Sequence, residues 1–78
     1  MKKGEMLNDK KLAALAKKWR QAAGKTMEQA ASELNVSKPA IAQAENNPEK
    51  SFARLRKRII EKYSPFKVVG PAYWLEKK

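Results

Sequence analysis

The chain is 78 residues long, enough for one small domain that buries about 60% of the surface its unfolded form exposes. It has no cysteine and no histidine, which excludes disulfides, thiolate and imidazole metal sites, and every catalytic arrangement built on histidine. Eighteen Lys and Arg against eight Asp and Glu leave a formal net charge of +10, so a polyanion is the expected partner, a nucleic acid before an anionic membrane surface.

No Gly-rich phosphate loop or carboxylate cluster points to an enzyme, and no cofactor or metal is implied. The basic start MKKGEMLNDKK is followed by no apolar run of signal-peptide length. No stretch approaches the about 20 apolar residues that cross a bilayer. The expected compartment is cytosolic or nuclear, and the lack of cysteine fits a reducing one.

Residues 1–8 read as a flexible N-terminus. The first helix is expected from Asp9, its N-cap, with Leu12, Leu15, Ala16, Trp19 and Ala23 recurring at spacings of three and four. Gly24 suits the position just past its end. Thr26 then opens a second helix in which T-M-E-Q has the form of a capping box, and Met27, Ala30, Ala31 and Leu34 make its apolar stripe. Asn35, tolerant of the left-handed conformation, supplies a sharp exit.

Ser37 is the expected cap of a third helix, with Pro39 in its first turn, where the missing N–H would be unpaired in any case. Val36, Ile41 and Ala44 face inward. ENNPEKS is a loop by composition. A fourth helix is expected from Phe52 to about Lys62, capped by Ser51, with Phe52, Leu55, Ile59 and Tyr63 buried and Arg54, Arg56, Lys57, Arg58 and Lys62 on the wet side.

After Ser64-Pro65 the character changes. FKVVGPAYWLEKK is β-branched and aromatic, but Gly70-Pro71 bars a helix. Three arrangements stay open: an extended segment packed on the helices, a strand pairing across a dimer, or a tail. Tyr73, Trp74 and Leu75 are too apolar for an idle tail, which favours the first two.

Residues 20–45, RQAAGKTMEQAASELNVSKPAIAQAE, resemble the lambda repressor/Cro-like, or XRE, helix-turn-helix family. The matching features are Arg20, the small Ala31 in helix 2, the Val36-Ser37 turn, Ile41 inside helix 3 and Glu45 at its end. Helices that cross closely need a side chain no larger than Ala at the contact, which Ala31 provides, while Ile41 fills the angle between them.

The resemblance implies an all-α bundle of four to five short helices over residues 9–63, with an extended segment at 64–78. It implies a structural Arg20–Glu45 pair. It also implies a sequence-specific regulator of bacterial or phage type that binds double-stranded DNA in the cytoplasm as a homodimer. The third helix, about Lys38 to Glu45, would enter the major groove with Lys38, Ala40 and Gln43 toward the bases and Pro39 and Asn46 at the margins. Lys25, Thr26, Ser37, Asn47, Lys50 and Arg54 are the expected phosphate contacts.

The sequence departs from the family pattern in four places. Asn35 stands where Gly is preferred, and Met27 where a phosphate-touching Gln is common. The loop NNPEK is short, and the last 15 residues have no counterpart in the minimal domain. The rival reading is a protein-interaction adapter that holds a toxin or transcription factor through Tyr73, Trp74 and Leu75. RNA binding is disfavoured by the scarcity of aromatics before residue 63.

Overall fold

A computed structural model describes residues 8–69 and 74–78, with only the main chain of Trp74. Apart from Asn8, the expected flexible N-terminus lies outside the described residues, as does Tyr73. Four helices and a two-stranded antiparallel sheet follow in chain order: α1 (Asp9–Ala22), α2 (Met27–Leu34), α3 (Lys38–Asn46), α4 (Ala53–Tyr63), β1 (Phe66–Val69) and β2 (Trp74–Lys77).

Local chemistry sets most of the boundaries. The α1 N-cap is Asn8, not Asp9: its side chain accepts from the Lys11 N–H at 2.8 Å. Asp9 becomes the first helical residue, where a carboxylate favours the positive end of the helix dipole. Gly24, at φ +74°, ends α1 by a Schellman turn, with Gly24 N–H on Gln21 O at 2.9 Å and Lys25 N–H on Arg20 O at 3.1 Å.

The α2 capping box is complete. Thr26 Oγ1 accepts from Gln29 N–H at 3.0 Å, and Gln29 Oε1 accepts from Thr26 N–H at 2.9 Å. Asn35, at φ 59° and ψ 46°, repeats the Schellman exit: Asn35 N–H reaches Ser32 O and Val36 N–H reaches Ala31 O. Only Asn35, Val36 and Ser37 separate α2 from α3. Ser37 caps α3 by accepting from Ala40 N–H at 3.2 Å.

The start of α4 differs from expectation. Its N-cap is Phe52, without a side-chain cap bond, so Ser51 does not cap it. On α4, Leu55, Ile59 and Ile60 are buried, while Phe52 and Tyr63 pack partly buried against the same core. Arg56 is buried too, at 0% exposure, although its charge placed it on the wet side. It falls on the inward stripe of residues 52, 55, 56, 59, 60 and 63.

The C-terminal segment is a hairpin within the chain. Phe66 pairs with Lys77, Lys67 with Glu76, Val68 with Leu75 and Val69 with Trp74. Val68 and Leu75 sit opposite each other and join the helical core around Leu12, Ile41 and Ile59. Glu61 on α4 accepts from Val68 N–H at 3.0 Å, and the Phe66 ring tilts against Trp19 of α1 at 6.1 Å between centroids. Burial of Leu75 removes it as an exposed anchor for a partner protein.

Candidate nucleic-acid interface

The phase of α3 is set by what it buries. Ile41 and Ala44 are fully buried and Glu45 is 5% exposed. The opposite face carries Pro39, Gln43 and Asn46, spaced i, i+4 and i+7, with Lys38 exposed in the first turn.

The exposures along α3 differ in order from the base-facing and marginal positions that the resemblance implies. Pro39 and Asn46 lie in the middle of the exposed stripe, not at its margins. Ala40 is half-buried: the turn that points Ile41 and Ala44 inward carries Ala40 toward a depression of about 260 Å³ shared with Val36, Phe52, Leu55, Arg54 and Arg58. Ala42 is likewise half-buried.

Three arginines hold the two helices behind this stripe. Arg20 on α1 meets Glu45 on α3 in a two-pronged pair, Nε to Oε2 at 2.6 Å and Nη2 to Oε1 at 2.9 Å, and Nη1 donates to Lys25 O at 2.7 Å. The hydrogen bond to Glu45 raises Arg20 above the ordinary guanidinium range, against the opposing effect of burial. Arg58 on α4 donates to Leu34 O at 2.7 Å, at the carboxyl end of α2. Arg56 donates from Nε to Ala44 O at 2.8 Å, at the carboxyl end of α3. Cations there oppose the negative end of each helix dipole. Ala31, 5% exposed, lies in the core shared by α2 and α3.

Arg56 is a buried supporting residue that its charge assigned to solvent, whereas Arg58 is exposed as expected and still reaches Leu34 O. The signal for Arg56 was its position between Leu55 and Ile59 on the apolar stripe. Arg58 carried no such signal.

The expected phosphate contacts fall into two groups. Lys25 and Thr26 lie at the α1–α2 junction. Lys25 Nζ sits 2.8 Å from Glu33 Oε2, so its charge is already partly answered. Glu33 also accepts from Tyr63 Oη at 2.6 Å. These two partners, Lys25 first, hold the Glu33 carboxyl below its usual range. Burial, then the Glu33 carboxylate, push the Tyr63 phenol up to about 12.

The second group surrounds the start of α4. Lys50 and Arg54 are exposed and line a depression of about 270 Å³ with Asp9, Glu49, Ser51 and Arg56. Asn47 is half-buried and gives its carbonyl to Arg56 at 2.8 Å. Ser37 and Thr26 are exposed and hold their helix caps, accepting through the same hydroxyl oxygens that carry a donor proton. Met27 is half-buried against the core and offers no polar contact.

Among the described residues no group of His, Cys, Asp or Glu has the arrangement of a metal site, and no helix is long and apolar enough to cross a membrane. A family model described as helix-turn-helix matches residues 17–57, more than half of the chain. No curated protein and no solved structure matches. The matched span runs from the middle of α1 into α4 and contains every candidate DNA-facing residue. The chain belongs to the helix-turn-helix family of lambda repressor/Cro, or XRE, type, whose members are regulators that bind double-stranded DNA.

Proposed function

We propose that this protein is a sequence-specific transcriptional regulator of bacterial or phage type, a repressor, Cro-like or antitoxin-like, that reads the major groove with the exposed stripe of α3. The observation that carries the reading is that stripe itself: Lys38, Pro39, Gln43 and Asn46 are exposed together on a helix whose other faces are fixed by core residues and by the Arg20–Glu45 pair. Lys38 donates to guanine O6 and N7, Gln43 and Asn46 pair with adenine, and the Pro39 ring meets a thymine methyl.

Lys50 and Arg54, exposed at the start of α4, and the Ser37 and Thr26 hydroxyls are the phosphate contacts of this reading. Lys25 reaches one only by leaving Glu33. A single recognition helix spans about half a helical turn of sequence. Binding as a homodimer to two half-sites about one turn apart follows from that limit.

The test is a selection from random duplexes, followed by anisotropy titration of the retained motif at low and moderate salt. A palindromic motif, bound at least tenfold more weakly by Lys38→Ala/Gln43→Ala, is the expected result. Salt-sensitive binding with no motif would leave only the electrostatics of a +10 protein and sink the sequence-specific reading.

A further inference from the structure

Arg56 is the most enclosed charged residue among the described residues, at 0% exposure, and its contacts converge from three parts of the chain. Nε donates to Ala44 O at 2.8 Å. Nη2 is shared between Asn47 O at 2.8 Å and Lys50 O at 3.1 Å. Nη1 has no hydrogen-bond partner and lies 3.7 Å from Asp9 Oδ1 at the start of α1.

One guanidinium therefore spans the last turn of α3, its C-cap Asn47 and the loop that leads into α4. Ala44 O lies past the last intrahelical donors, while Asn47 O and Lys50 O also accept from Lys50 N–H at 3.0 Å and Phe52 N–H at 2.9 Å. The position sits on an apolar stripe that a Leu or Met would fill without the cost of burying a charge. Its hydrogen-bonding geometry is what an aliphatic side chain would not reproduce.

The residues gathered in this way border the DNA-reading surface on two sides. Upstream are Gln43 and Asn46, on the exposed stripe of α3. Downstream are Lys50 and Arg54, candidate phosphate contacts. We propose that Arg56 is a positioning residue for DNA reading: it touches no DNA, and it fixes the base-facing end of α3 relative to the phosphate-facing segment 47–54 so that one duplex satisfies both. The inference rests on the DNA-reading role proposed for α3. Supporting residues of this kind decide whether a binding constellation is held closely enough to discriminate.

The experiment compares wild type with Arg56→Met and Arg56→Lys in the full chain. Arg56→Lys keeps the charge and most of the length but cannot bridge three carbonyls in a plane. Binding is measured to the motif retained by wild type and to random duplex, with the salt dependence of each. Amide hydrogen exchange is followed in the free protein.

The expected result for folded variant is roughly tenfold weaker motif binding with random-duplex binding changed by less than about twofold, so that specificity falls and the salt slope stays. Equal loss on both duplexes with a reduced salt slope would make Arg56 a phosphate contact and overturn the proposal. An unchanged ratio with a lowered Tm would reduce it to a purely structural residue and also overturn it. Should Arg56→Met fail to fold, Arg56→Lys decides.

The exchange measurement separates this inference from the DNA reading beneath it. If no motif emerges, the DNA-reading role falls, while faster exchange confined to residues 47–51 in Arg56→Lys still shows that Arg56 fixes that segment against α3. Unchanged exchange there rejects it.

Discussion

Arg20 and Glu45 stand 25 positions apart in sequence and meet in a two-pronged, almost fully enclosed ion pair, with side chains 7% and 0% exposed. The pair joins the end of α1 to the end of α3. Removing one partner strands a buried charge. Glu45→Ala and Arg20→Ala are each expected to destabilise the fold by about 3–5 kcal/mol in urea titrations. The double change Arg20→Met/Glu45→Leu should lie far closer to wild type than the sum of the two. Additive losses would mean that the two charges do not depend on each other.

The left-handed residues define a second test. Asn35 has φ 59°, and Gly24 has φ +74° with nothing within 4 Å of where a Cβ would sit. Space is therefore no obstacle at position 24, and Gly24→Ala should cost only the torsional penalty, about 1 kcal/mol. Asn35→Gly should be neutral or slightly stabilising, and Asn35→Val should lose about 1–2 kcal/mol, since a β-branched side chain tolerates that region least. A stable Asn35→Val protein would contradict the turn geometry.

Tyr63 predicts an alkaline transition. Its phenol, ordinarily near 10.0, is pushed up to about 12, so the folded chain holds that proton more tightly than the unfolded one. The stability this contributes is complete below pH 10 and is lost as pH rises toward 12. Tyr63→Phe should flatten the fall of stability across that window, measured by chemical denaturation at stepped pH. The Glu33 carboxyl works in the opposite direction. Its lowered value means that its stabilisation is present above the ordinary 4.5 and is lost as pH falls through the lowered one. Glu33→Gln should weaken the acid branch of the same profile, and an unaltered branch would remove Glu33 from the account.

The hairpin offers a fourth test. Val68 is 2% exposed and Leu75 9%, paired across β1 and β2 in the helical core. Leu75→Ala is expected to cost about 2–3 kcal/mol by thermal or urea unfolding, a large share of what a chain of this size has in reserve. A loss below about 0.5 kcal/mol, the size of an ordinary surface change, would show that residues 66–78 contribute no stability to the helices.

Much of this was legible from sequence, and the legible part shares one property. The Thr26–Gln29 box, the Ser37 cap and the turns at Gly24 and Asn35 close through bonds that span three to five residues, so the amino acids that make them sit side by side in the chain. The periodic stripes of α1 and α2 follow from helical spacing. The family match added the helix-turn-helix over residues 17–57.

What remained was decided between distant elements. Ser51 had the composition of a cap, yet α4 starts from Phe52 without a side-chain cap, and Lys50 O in the preceding loop accepts from the Arg56 guanidinium. Lys25 had the charge of a phosphate ligand, and Glu33 answers it only because α2 folds back beside the turn.

Composition by itself determined a basic, histidine-free, single small domain, and local patterning determined four helices, with the caps of α2 and α3 and the short turn between them. Tertiary structure alone decided that Arg56 is interior, that Pro39 and Asn46 rather than Ala40 centre the exposed stripe, and that the last residues fold back as a hairpin. The physical reason is that burial and rotational phase depend on which surfaces meet. Those meetings include Lys25 with Glu33, 8 positions apart, and Arg20 with Glu45, 25 apart.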